Sequence, residues 1–267
     1  MTADRDMARA WATSLFSRSI LKQAKWKALA RAAGDPAGKR CLDLGSDNGV
    51  VSLLFREQGG RWRSADLDPS AVASIRSLVG DPVELLSGPE LPYHDAAFDL
   101  VVVVDLLEHL HDDARAASEL ARVVAPGGRL VVNVPHDRPR SPLRALRLAL
   151  GLTDEKHGHV RPGYDRAALT RLLQGGFEDF AFRGAVGPFS EMLDIALSFA
   201  LERKKGGPAS AKGAMVTRED TASLGGAEKA YAALYPFFKA FSLLDHLVPF
   251  APGALLVASA RRRGAAA

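Results

Sequence analysis

From Lys39 onward the chain alternates short β-branched and apolar runs with stretches whose apolar positions recur at helical spacing. That is the pattern of a parallel sheet covered on both faces. It predicts strands at 40–44, 61–66, 83–86, 99–104, 129–134, 177–186 and 254–261. The four consecutive valines that end the 99–104 run read as the central strand, buried on both sides. Helices are predicted at 50–58, 69–79, 112–124 and 166–174, with Pro126-Gly127-Gly128 ending the third and Gly175-Gly176 the fourth. A further helix is predicted over 11–31.

The stretch 187–253 between the last two strands far exceeds an ordinary connection and reads as an insertion with structure of its own. It divides into an apolar helix at 189–203, a polar, glycine-rich stretch at 204–226 that reads as mobile, and an aromatic-rich helix at 227–247. The chain thus organises as an N-terminal helical segment (1–38), an α/β core (39–186), a helical insertion or cap (187–253) and a final core strand with its tail (254–267).

Composition narrows the classes. With 47% hydrophobic and 25% charged residues, the 267-residue chain is that of a globular protein, not a disordered or fibrous one. A single cysteine, Cys41, excludes an internal disulfide and a zinc site built from several thiolates. No apolar run reaches the length of a spanning helix and the N-terminus has no signal pattern, so a cytoplasmic location is expected. The net charge of +4 is unevenly placed. Residues 1–40 carry Arg5, Arg9, Arg18, Lys22, Lys25, Lys27, Arg31, Lys39 and Arg40 against Asp4, Asp6 and Asp35, leaving the rest slightly acidic. A broad nucleic-acid footprint on the core is therefore not expected.

The chemistry concentrates where predicted strands end. Leu42-Asp43-Leu44-Gly45-Ser46-Asp47-Asn48-Gly49 joins the first strand to a helix. Gly45 and Gly49 supply a tight turn, with Asp47 and Asn48 the next best residues for it. Asp43 is placed to meet an ammonium or an ordered water, and Asp66, ending the second strand, to accept bonds from ribose hydroxyls. These features resemble the first two motifs of the class I S-adenosylmethionine-dependent methyltransferases, a family whose relatives closest in motif act on small molecules and ubiquinone-type compounds. Further motifs follow in the family's order: 91–101, leading into the fourth strand; Asp105-Leu106-Leu107-Glu108-His109-Leu110 after it; and 123–130 before the fifth.

The resemblance covers roughly 39–183. It implies a Rossmann-like, doubly wound, seven-stranded sheet with an antiparallel last strand, and S-adenosylmethionine as cofactor, S-adenosylhomocysteine being its product. The implied cofactor residues are Asp43, Gly45, Ser46, Asp47, Asn48 and Gly49, with the two glycines near the methionine part. Asp66 would take the ribose, Leu67 the adenine face, and Asp105 and Leu106 would complete the set. Two departures stand out: Asp47 replaces a usual glycine, and the adenine amine is left to Ser87 or Glu90.

Methyl transfer needs an aligned nucleophile and, for a hydroxyl, a base. His109 is the expected positioning base, with His136, His159 and Tyr164 as weaker candidates. His157 is a further candidate contact in the loop that holds His159. Asp105, Glu108 and His109 share a helical face and resemble the acidic, acidic, histidine set of the ubiquinone-pathway O-methyltransferases, some of which use a divalent ion. Local hydrogen bonding is the favoured reading, and no metal ligand is assigned.

The basic stripe Arg18, Lys22, Lys25 suits either peripheral contact with anionic lipid or, preferably, a helix that covers the cofactor cleft with its lysines in water. The patch from Tyr235 to Phe250 must pack in the cap, form a homodimer face, line an apolar pocket or meet a membrane. The expected reaction is O-methylation of a small or lipid-like acceptor. The alternatives are a methyltransferase of tRNA or protein and a non-catalytic cofactor-binding module. An NAD oxidoreductase is disfavoured because the third glycine of the dinucleotide fingerprint is missing.

Overall fold

The computed structural model describes residues 2–205 and 226–264. Most of the glycine-rich stretch expected at 204–226 lies outside them.

Two helices come first, α1 (Thr2–Ser17) and α2 (Ile20–Ala33). There follow β1 (Arg40–Leu44), α3 (Val50–Glu57), β2 (Arg61–Asp66), α4 (Pro69–Val79), β3 (Val83–Leu85), β4 (Phe98–Val104), α5 (Asp113–Val123) and β5 (Val124–Pro135). The chain continues through α6 (Pro142–Ala149), α7 (Arg166–Leu173), β6 (Phe177–Ala185), α8 (Pro188–Lys205), α9 (Gly226–Ser242) and β7 (Leu255–Arg262). The seven strands form one sheet in the order β3-β2-β1-β4-β5-β7-β6. All neighbours are parallel except β7, which runs antiparallel between β5 and β6.

Alternation along the strands feeds two cores. Leu42, Leu44, Val101, Val103, Leu130 and Val132 face α5 and α7, where Leu120, Leu169 and Leu173 meet them. Cys41, Leu100, Val102, Val104 and Val131 face the other way, toward Ala28 and Leu29 of α2 and Val50, Val51 and Phe55 of α3. Burial on both sides is why β4 tolerates valine at every turn of its pleat.

Four expectations are revised. The helix expected over 11–31 is two helices, broken at Ser19, whose hydroxyl accepts a hydrogen bond from Lys22 N at 3.3 Å and caps α2. Strand β5 starts at Val124 instead of 129, carrying Pro126-Gly127-Gly128 within it; its pairing with β4 shifts register between Phe98 and Leu100, so the irregularity is absorbed as a bulge. Helix α6 was not expected at all, although its signal was present: Ser141 caps it and Pro142 occupies the first turn. In the insertion, α9 ends at Ser242 and a 3-10 turn covers Leu243–Leu247.

Phe55 locks the N-terminal region to the sheet. It is fully buried, stacks on Trp62 of β2 at 4.7 Å and meets Trp26 of α2 edge-on at 4.8 Å. Phe55→Ala is expected to cost about 3–5 kcal/mol, read as a lowered urea midpoint at constant m-value.

Candidate active site

Leaving β1, the chain turns at Gly45 with φ 80° directly under the end of β4. A Cβ there would lie 2.3 Å from the Val104 carbonyl oxygen, so the turn admits only glycine. Asp47 follows at φ 52°, a left-handed conformation that aspartate tolerates. Gly49 (φ 81°) has a different task. A Cβ there would lie 2.7 Å from Ile75 Cα, so this glycine permits α3 and α4 to meet. It does not line the cleft.

Asp43 does not line the cleft either. It is fully buried and accepts hydrogen bonds from Ser46 Oγ (2.8 Å), Ser52 Oγ (2.6 Å) and Ser64 Oγ (2.8 Å), with the Arg56 guanidinium at 3.4 Å. A carboxylate so enclosed braces the loop from beneath.

Above this brace lies a cleft of about 360 Å³, within the usual range for small-molecule sites. Gly45, Ser46, Asp47, Asn48, Asp66 and Leu67 line one end, over β1 and β2. Asp66 is 3% exposed and accepts from Asp68 N at 2.9 Å. Ser87 and Glu90 do not line the cleft: Ser87 is exposed, and Glu90 points to Arg115 of α5 at 3.5 Å.

The wall facing the glycine loop is α2, which contributes Leu21, Lys22 and Lys25. Its lysines point into the cleft and not into water, a role the sequence reading missed. Burial pushes the Lys22 ammonium pKa down, with Asp47 opposing it. Burial also works against charge on Lys25, but its ion pair with Asp105 more than offsets this and raises its pKa. Asp105 sits at φ 44° after β4, held from its other side by Asn133 Nδ2. Leu106 lines the cleft beside it.

At the far end, over β4 and β5, His109, His136 and His159 line the cleft. His109 Nδ1 lies 3.0 Å from the Gly158 carbonyl oxygen, which can only accept, so neutral His109 carries its lone pair on Nε2. His136 is held likewise by the Gly253 carbonyl at 2.9 Å, and burial lowers its pKa below the ordinary imidazole value. The rings of His109 and His159 meet edge-on at 4.9 Å. Tyr164 does not line the cleft. It is 5% exposed, its hydroxyl donates to Asp113 at 2.7 Å, and burial pushes its pKa up to about 12. With Arg161, which pairs with Asp113 and donates to the Leu110 carbonyl, it pins the loop carrying His159. The His157 side chain lies outside what the structure describes.

Glu108 is fully buried, and neither carboxylate oxygen has a hydrogen-bond partner. Burial, with the Asp105 carboxylate close by, raises its pKa well above the usual carboxylate range. Glu108, His109 and His159 each offer a ligand atom within 4.8 Å of the others, the arrangement among the described residues that could hold a metal ion.

Arginines complete the far end, and the sequence reading passed over them. Arg138 pairs with Glu191 at 2.6 Å, Arg144 with Asp154 at 3.3 Å and Arg147 with Asp194 at 3.1 Å, and all six residues line the cleft. Val186, where the insertion begins, adopts φ 61° at the same wall, a strained conformation for a β-branched residue. By contrast, no residue from Tyr235 to Phe250 lines the cleft. Phe241 packs on Phe189 at 5.4 Å, while Phe237, Leu247 and Phe250 are exposed. No helix among the described residues is long and apolar enough to cross a membrane.

Removing the brace tests the loop. Asp43→Ala is expected to destabilise the fold by roughly 3 kcal/mol, because it removes the shared acceptor of three buried serine hydroxyls. Equilibrium denaturation measures this directly.

Residues 8–178 match the family described as methyltransferase domain. A protein of Mycolicibacterium smegmatis named "Probable S-adenosylmethionine-dependent methyltransferase" is 34% identical over 145 residues, 53% of each chain. A ubiquinone biosynthesis O-methyltransferase of Pseudoalteromonas translucida is 29% identical over 192 residues, 66% of this chain and 81% of its own. The chain spans about half the length of the first curated relatives that it matches. A crystal structure of an S-adenosylmethionine-dependent methyltransferase from Mesorhizobium loti shares the fold with TM-score 0.55 at 17% identity, over 90% of this chain and 98% of that one. The family match covers well over half of the sequence, and the strand order agrees with it. The chain belongs to the class I S-adenosylmethionine-dependent methyltransferases.

Proposed function

We propose that this protein transfers a methyl group from S-adenosylmethionine to a hydroxyl of a small polar acceptor. One observation carries the reading: a single cleft joins the Gly45 loop and Asp66 at one end to three imidazoles at the other. The cofactor would lie over β1 and β2, with its ribose on Asp66 and its methionine part between the loop and α2. Gly45, Ser46, Asp47, Asn48, Leu67, Asp105 and Leu106 line that space. The acceptor would lie over β4 and β5.

The reaction is an in-line displacement. The acceptor oxygen forms a bond to the methyl carbon as the carbon–sulfur bond breaks, and neutral S-adenosylhomocysteine leaves. His109 Nε2 has the lone pair to take the hydroxyl proton, in an orientation fixed by Gly158. The protein's main contribution is alignment and the exclusion of water, which α2 and the loop holding His159 provide as walls.

The ion-paired arginines support a polar acceptor over a lipid-like one. Burying an apolar chain against Arg138, Arg144, Arg147 and their acids would desolvate charges without replacing their hydration. The exposed apolar residues of the insertion lie elsewhere, and support peripheral contact or self-association more than substrate binding.

Calorimetric titration with S-adenosylmethionine, S-adenosylhomocysteine and NAD is expected to give micromolar binding of the two adenosyl ligands alone. Asp66→Ala should weaken it at least ~10-fold, the worth of one good charge-assisted bond pair. Preference for NAD would overturn the cofactor assignment. His109→Ala should leave adenosyl binding intact and lower kcat ~10²–10⁴-fold on an acceptor found by screening catechols, sugars and hydroxy acids. An unchanged kcat would remove His109 from the reaction.

A further inference from the structure

Glu108 poses a question that methyl transfer alone leaves unanswered. A carboxylate with no exposure and no partner on either oxygen is costly, and native proteins keep such groups for a reason. Its neighbours suggest the reason. His109 shares its 3-10 turn, Leu107–His109, and holds Nε2 as a lone-pair donor because Nδ1 is committed to Gly158. A hydrogen bond from a ligating histidine's second nitrogen to a backbone carbonyl is the usual support of a metal ligand. His159 comes from a separate loop, tied to the Glu108 turn by a hydrogen bond from Val160 N to the Glu108 carbonyl at 2.9 Å.

The resemblance to ubiquinone-pathway enzymes implies a different set, with Asp105 beside Glu108 and His109. In this chain Asp105 is engaged on both sides, by Lys25 and by Asn133. The third group within reach of Glu108 and His109 is instead His159.

We propose that Glu108, His109 and His159 bind a divalent d-block cation at the acceptor end of the cleft, and that Asp105 takes no part. Two imidazoles and one carboxylate suit zinc, cobalt or manganese, whereas magnesium prefers oxygen ligands alone. The present separations of up to 4.8 Å close to those of a coordinated ion by side-chain shifts of up to about 0.7 Å each, given bonds of about 2.0–2.2 Å. Both histidines face the cleft, which leaves the remaining coordination positions open toward the acceptor. A bound dication would lower the pKa of an acceptor hydroxyl that joined it, and His109 would then act on the acceptor through the ion. The inference rests on the proposed function only for the identity of the acceptor end.

The test needs no acceptor. Full-length protein is stripped with chelator, then titrated by calorimetry with zinc, cobalt and magnesium chlorides, with cobalt absorption followed in parallel. One equivalent of zinc or cobalt should bind, with visible cobalt d–d bands, and magnesium at least ~100-fold more weakly. Glu108→Gln and His159→Ala should each weaken binding ~10–100-fold, while Asp105→Asn changes it less than ~3-fold. Circular dichroism and thermal denaturation verify that each variant folds, and Glu108→Asp, which keeps a carboxylate, should retain part of the affinity. Absence of cobalt bands, magnesium binding equal to zinc, or loss in Asp105→Asn without loss in His159→Ala would each overturn the proposal. Failure of metal binding with intact adenosyl binding would leave the methyltransferase reading standing.

Discussion

The site depends on one close approach, that of the Gly45 turn to the end of β4. With 2.3 Å between a would-be Cβ and the Val104 carbonyl, the backbone itself forms the floor of the cleft. That packing brings the β1 loop and the Asp105–His109 segment to the same edge of the sheet, where the strand order steps from β1 outward in both directions. In doubly wound sheets such a step is where helices on opposite faces part and leave a crevice. Asp43 holds the turn there from below, using three serine hydroxyls and an arginine to satisfy a carboxylate that has no access to water.

The electrostatics of the cleft follow from what is left over. Asp47, Asp66 and Asp105 would by themselves crowd negative charge around the Gly45 loop, and Lys22 and Lys25 offset it from α2. These two lysines of the basic N-terminal segment therefore find their counter-charge within the protein. The end of the cleft that holds the histidines is arranged differently. There the arginines arrive on the β5–α6 region and their acids largely on α8, so the ion pairs also tie the insertion to the core. Charged pairs across a cleft hold its walls at a fixed spacing more than they add net stability.

Much of the fold was legible along the chain. All seven strands are present near their predicted positions, because burial on both faces writes itself as β-branched runs bounded by glycine and proline. The glycine loop and the acids ending β1 and β2 were equally visible. Less legible was what each residue does once placed. Asp43 and Gly49 sit in the same short motif as Gly45, yet one turns inward to serines and the other faces α4. Linear spacing cannot distinguish these directions, since a turn with several positive φ angles reorients every side chain after it. The break at Ser19 and the start of α6 at Ser141-Pro142 were written as caps and simply not given enough weight.

The sequence by itself determined the sheet, the glycine loop and the position of the histidine after β4, since each depends on local backbone preference or hydrophobic period. Only the tertiary structure decided the partners. Lys25 meets Asp105 eighty positions away, His159 meets His109 across fifty, and Arg138 meets Glu191 across fifty-three. Such pairings are set by how separate helices and loops settle on one sheet edge, where desolvation makes each buried charge take the nearest complementary group. No periodicity in the chain records that choice.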